Sequence, residues 1–132
     1  MSKNWQKDVE KQMIEVYECP VRTSPTIDIP EEELSLRYDL ILEEMCETLD
    51  ALLAEDIVAV ADGIVDSITV LLGTASALGI DIQPIWDEVA KTNMAKKGGP
   101  LRDDGKRLKP PGWLEPAIAA LIEEQIKKNK DA

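Results

Sequence analysis

Apolar residues recur at helical spacing along most of the chain, and the interruptions divide it into five predicted helices. Trp5, Val9, Met13 and Val16 mark the stripe of a first helix, capped by Ser2 and running to about Tyr17. Cys19 to Pro30 holds three prolines and a Thr-Ser-Pro-Thr cluster, so it reads as a connecting loop anchored by Val21, Ile27 and Ile29. A second helix starts near Pro30, with Asp28 as its cap and Glu31, Glu32 and Glu33 at the positive end of its dipole. Leu34, Tyr38, Ile41, Met45, Leu49 and Leu52 form its stripe. The third helix, from about Asp56 to near Gly79, is apolar nearly all round, which is the pattern of a buried helix. Asp81 caps a fourth, with Pro84 in its first turn and its end near Lys97. The last, from Glu115, is amphipathic through Ile118, Leu121, Ile122 and Ile126. Only Ala54-Glu55-Asp56 separates the second and third helices, and a break that short makes them antiparallel neighbours. The predicted fold is therefore all-α, a helical bundle built on a long antiparallel hairpin.

The exceptions to this apolar pattern are acidic. Glu43, Glu44, Glu47 and Asp50 lie within roughly a 120° arc of the second helix, and Asp62 and Asp66 share a face of the third. Counted from Glu55, Glu44 and Asp66 are equally far from the turn, and Glu47 and Asp62 nearly so. Glu44, Glu47, Asp62 and Asp66 are therefore expected to meet at one level of the hairpin. Like charges so placed raise one another's pKa unless a cation neutralises them, and an all-oxygen ligand set suits Mg²⁺ or Mn²⁺. Gly63 and Gly73 inside the third helix each cost about 1 kcal/mol against alanine, and so mark the close approach of a helix or a ligand.

The length of 132 residues fits one domain, 1–132, with 114–132 as a peripheral C-terminal helix. A net charge of −11 argues against nucleic-acid or membrane-surface binding, and the absence of histidine removes Ser-His and Cys-His catalysis and histidine metal sites. It also removes the Glu-x-x-His motifs of carboxylate-bridged di-iron bundles. Cys19 and Cys46 lack metal or redox spacing and read as reduced thiols. No uncharged apolar run reaches eighteen residues and the first twelve residues lack an apolar signal core. A cytoplasmic location without a membrane span is expected. Against the acidic background, Lys96 to Lys109 carries six basic and two acidic residues, with Asp104-Gly105 placed as a small hairpin turn.

Glu43-Glu44-Met45-Cys46-Glu47 matches the E-E-x-x-E element of the all-α nucleoside triphosphate pyrophosphohydrolases: the MazG-like proteins, dimeric dUTPases and phosphoribosyl-ATP pyrophosphohydrolases. The partner element, E-x-x-D, is met at Asp66 but has Gly63 where the family has Glu; Asp62 is the nearest carboxylate. Further runs, Leu72-Gly73-Thr74-Ala75, Trp86-Asp87-Glu88-Val89, Asn93-Met94-Ala95-Lys96 and Lys109-Pro110-Pro111-Gly112-Trp113, are similar to a bacterial and phage MazG-like subgroup. The resemblance spans about Arg37 to Trp113. It implies that Mg²⁺ on the carboxylates binds a nucleoside triphosphate and that water attacks the α-phosphorus, releasing pyrophosphate. Either Glu47 or Glu43 takes the water's proton. Asn93, Lys96 and Lys109 are the implied phosphate or nucleotide contacts.

The all-apolar third helix needs more cover than 132 residues supply, so a homodimer with a four-helix core, or a homotetramer, is expected; the family resemblance points the same way. Two other functions fit less of the sequence: phosphoribosyl-ATP hydrolysis, and a non-enzymatic helical module that docks a basic partner through its acidic patch.

Overall fold

In a computed structural model, residues 3–130 of the chain are described. Among them are five helices and no strand: α1 (Trp5–Glu15), α2 (Glu31–Leu53), α3 (Ile57–Ala77), α4 (Ile82–Met94) and α5 (Ile118–Lys130). The chain divides into two compact units, Met1–Ile80 and Asp81–Ala132.

In the first unit α2 and α3 form the expected antiparallel hairpin. Glu55 takes a left-handed conformation (φ 55°) at the turn, and the Asp56 carboxylate caps α3 by accepting from the Val58 and Ala59 amides, each at 3.1 Å. The seam between the helices is not the predicted stripe. Leu34, Tyr38, Met45, Leu49 and Leu52 are exposed, whereas Arg37 and Ala51 are buried and Ile41, Glu44 and Thr48 half-buried. On α3 the corresponding face is Gly63, Ser67 and Gly73. Small and hydroxyl side chains let the two backbones approach closely, so the bulky residues of α2 are turned outward. The Thr48 and Ser67 hydroxyls lie 3.1 Å apart and pin the register, while Thr48 also donates to the Glu44 carbonyl at 2.7 Å.

Asn4 caps α1, accepting from the Lys7 amide at 3.0 Å; Ser2, the expected cap, lies outside the described residues. α1 packs on the C-terminal half of α3, where Val9, Met13 and Ala77 form a small core. Its buried face is Gln6, Val9 and Met13; Trp5 and Val16, two members of the predicted stripe, are exposed. Gln6 holds the contact by donating to Ser76 Oγ (3.0 Å) and to the Ile80 carbonyl (2.7 Å).

The loop into α2 is anchored through Arg22, which pairs with both Glu33 oxygens (2.6 and 2.8 Å) and donates to the Ala77 carbonyl at 2.7 Å. The guanidinium holds the Glu33 carboxyl below its ordinary value. Pro30 begins α2 with no side-chain cap, and Asp28 does not serve as one: its amide instead donates to Thr26 Oγ1.

By length and composition α3 is apolar enough to cross a membrane, with mean hydropathy 1.8, although Asp62 and Asp66 interrupt any uncharged run. It is not buried all round, as the sequence suggests. Ile57, Ile64 and Leu71, at intervals of seven, are exposed, as are Val58 and Val65. On α2, Leu42, Met45, Leu49 and Leu52 repeat at spacings of three and four and are also exposed.

In the second unit Asp81 caps α4, and α4 packs on α5. α4 stops at Met94, short of Lys97, because the next amides bond three residues back, Lys96 to Asn93 and Lys97 to Met94. α5 starts at Ile118, after Pro116, rather than at Glu115. Between them lies the small basic hairpin: Leu101 and Arg107 form an antiparallel bridge, and the Arg102 amide donates to the Lys106 carbonyl at 2.8 Å.

Candidate active site

The register set by Thr48 and Ser67 brings Glu44 of α2 level with Asp66 of α3. Glu44 is the centre of the acidic group. Desolvation by burial pushes its carboxyl up, and the charges of Glu47, Asp66 and Glu43 push it further in the same direction. Its Oε2 is buried with no hydrogen-bond partner among the described residues. A carboxylate oxygen left this way is costly unless it is protonated or meets a cation. Glu43 and Glu47 are exposed at the edge of the group, and Asp66 is half-buried.

Asp62 is exposed and is not among the charges that raise the Glu44 carboxyl. Gly63, at the position where the family carries Glu, faces α2 so closely that a Cβ there would lie 2.5 Å from Thr48 Oγ1. No group of three or more His, Cys, Asp or Glu side chains among the described residues is gathered tightly enough to hold a metal ion as it stands. The orphaned Glu44 oxygen and the converging charges nonetheless fit a hard divalent cation, which Glu44, Glu47 and Asp66 could hold.

Glu44 and Asp66 also border an open cavity of about 380 Å³ lined by residues of α1, α2 and α3. Arg37 lines it, one residue that the sequence pattern does not single out. It lies seven residues before Glu44 on α2, on the same face, and this spacing is the signal that could have found it.

In the second unit the implied substrate contacts lie together. Lys96 and Lys109 are placed over the Trp113 ring, with their Nζ atoms 5.2 and 4.7 Å from its centroid. The Trp113 indole donates to the Thr92 carbonyl at 2.7 Å, so this half-buried ring is a packing element. Lys96 donates to Asn93 Oδ1 at 3.0 Å, and Lys109 pairs with Glu115 at 2.8 Å. Arg102 is engaged by Asp104, and Arg107 by the Gly99 carbonyl.

A long antiparallel helix pair carrying carboxylates at a common level is the arrangement of the all-α, MazG-like nucleotide pyrophosphohydrolases, and sequence comparison agrees. Residues 8–93, more than half of the chain, match the phosphoribosyl-ATP pyrophosphohydrolase family, and the chain belongs to that family. No curated protein matches it.

Proposed function

We propose that the protein is a Mg²⁺-dependent pyrophosphohydrolase that cleaves a (deoxy)nucleoside triphosphate between its α- and β-phosphates, releasing the monophosphate and pyrophosphate. The observation that carries this reading is the buried, unpartnered Glu44 oxygen among the charges of Glu43, Glu47 and Asp66. Bound Mg²⁺, or Mn²⁺, neutralises phosphate charge and lowers the pKa of water. Glu44, Glu47 and Asp66 would hold the cation, with Asp62 as the fourth carboxylate of the hairpin. Glu43, exposed beside them, is free to accept the proton of the attacking water, with Glu47 as the alternative acceptor. Asn93, Lys96 and Lys109 supply phosphate contacts, the lysines as point charges already steered by Trp113.

A second reading is phosphoribosyl-ATP hydrolysis, favoured by the family that the chain matches. Both reactions break the same type of bond, so one assay separates them. Pyrophosphate release is measured with and without Mg²⁺ on dUTP, dCTP, dGTP, ATP and phosphoribosyl-ATP. Turnover of a triphosphate, lost without Mg²⁺ and lost in Asp66→Asn with its helical spectrum intact, supports the proposal. Turnover of phosphoribosyl-ATP alone selects the second reading, and normal turnover by Asp66→Asn overturns the site.

The working unit of this reading is a homodimer. The exposed rows Leu42, Met45, Leu49, Leu52 and Ile57, Ile64, Leu71 make an apolar face on the hairpin that carries the carboxylates. Such a face is uncommon on a monomer, and the seven-residue repeat suits a second copy of the same hairpin. A dimer of dimers extends the same contact.

A further inference from the structure

The cavity beside the carboxylates has a feature that phosphate chemistry leaves unused. Val9, Met13, Leu36, Leu40 and Val70 supply much of its wall, and its volume of about 380 Å³ lies at the small end of small-molecule sites. Arg37 is set into this apolar wall at 7% exposure. Its Nε donates to Thr74 Oγ1 at 3.1 Å and its Nη2 to the Val70 carbonyl at 3.2 Å. Its Nη1 donates to no acceptor among the described residues, and no carboxylate there forms an ion pair with it. Glu33, itself paired with Arg22, acts on the guanidinium by charge without touching it, and burying a guanidinium without a direct ionic partner is costly. The chain bears a second cost to seat it: a Cβ at Gly73 would come within 2.9 Å of Nη2, so a helix-weakening glycine is kept where Arg37 crosses α3.

We propose that this cavity takes the nucleobase of the substrate, and that among purines Arg37 selects one presenting a carbonyl oxygen beside the N7 acceptor: guanine or hypoxanthine over adenine. The inference rests on the nucleotide reading above and adds the substrate class to it. A guanidinium only donates, and its fork matches the paired O6 and N7 acceptors of guanine. Adenine offers N7 next to an amino group that is itself a donor, so one buried donor is left facing another. The apolar walls accept the flat faces of a base and exclude a triphosphate. Because Glu44 and Asp66 border the same cavity, a base seated on Arg37 directs its phosphates to the carboxylates.

The test is calorimetric titration of the full chain in Mg²⁺ with GMP and with AMP, which reads binding without turnover. The wild type should bind GMP at least about tenfold more tightly. Arg37→Gln should bring the two affinities to near equality, with the helical spectrum unchanged. If that variant does not fold, Arg37→Lys keeps the charge and removes the fork, and should narrow the ratio likewise. Equal binding of GMP and AMP by the wild type, binding of neither, or a ratio that survives the substitution overturns the proposal. Turnover of dGTP and dATP at equal efficiency sinks the base selection and leaves the pyrophosphohydrolase reading intact. A tenfold GMP preference without pyrophosphate release does the reverse.

Discussion

Gly63 faces Thr48 with no room for a side chain between them: a Cβ at position 63 would lie 2.5 Å from Thr48 Oγ1 and 3.1 Å from the Thr48 Cα. The second distance involves backbone, so relief requires the helices to move apart. Position 63 is also where the family motif carries a glutamate, and here that position is committed to helix contact.

Gly63→Ala therefore destabilises the protein, although alanine is the better helix former. The substitution gains about 1 kcal/mol of helix propensity and loses about 1–3 kcal/mol to overpacking. A net loss of about 1 kcal/mol is expected in urea denaturation, from the overpacking range less the propensity gain. Gly63→Glu, which completes the family motif, should unfold more easily still and should not raise turnover. A more active Gly63→Glu enzyme would contradict the packing argument.

Glu44 makes the metal-free protein sensitive to pH. Its folded-state carboxyl is raised above the ordinary 4.5, so folding disfavours the ionised form. That cost is absent below the ordinary value, grows as pH rises toward the raised folded value, and is complete above it. Glu44→Gln removes it. The variant should be more stable than the wild type near neutral pH without Mg²⁺, and the difference should vanish in acid. Urea midpoints recorded between about pH 4 and pH 8 check this. Added Mg²⁺ should raise the wild-type midpoint and leave the variant's unmoved.

Lys109→Ala should raise the KM for nucleotide more than it lowers kcat, and more at low salt than at high salt. The ammonium is exposed and acts through charge, and ions screen exposed charges. Its pairing with Glu115 already offsets part of that charge, so Glu115→Gln should lower the KM. A salt-independent KM in Lys109→Ala would mark the loop as structural.

Light scattering at micromolar concentration should return a mass of twice 14.6 kDa or a higher even multiple. Leu49→Lys places a charge in the exposed row of α2 and should yield the monomer, with its helical content retained. A monomeric, fully active wild type would remove both the dimer and its relevance to the site.

The hairpin is legible in the sequence because its break is short and strongly marked: Asp56 caps α3, and Glu55 supplies the turn. The level of Glu44 with Asp66 emerges from counting alone. The faces are not legible by the same means. Hydrophobicity assigns Leu49 and Leu52 to the seam, but close approach selects Thr48, Ala51, Gly63 and Ser67. A chain that leaves its larger apolar residues for a further surface breaks the rule that the largest apolar stripe faces its own partner helix. Asp62 shares a helix face with Asp66 by spacing, but it lies outside the charges that act on Glu44. Arg37 escapes the pattern because a lone charge in a stripe reads as an interruption, and only Gly73 and the cavity give it a place.

Trp113, held by the Thr92 carbonyl and overlain by two ammonium groups, is an optical probe built into the basic loop. The other two tryptophans, Trp5 and Trp86, are largely exposed and emit as a constant background of solvated indole. An anion that draws Lys96 or Lys109 off the ring changes the field across one chromophore only. Ligand arrival at the loop should therefore be visible in the fluorescence of the unlabelled protein, on the blue side of its emission band, before any bond is broken.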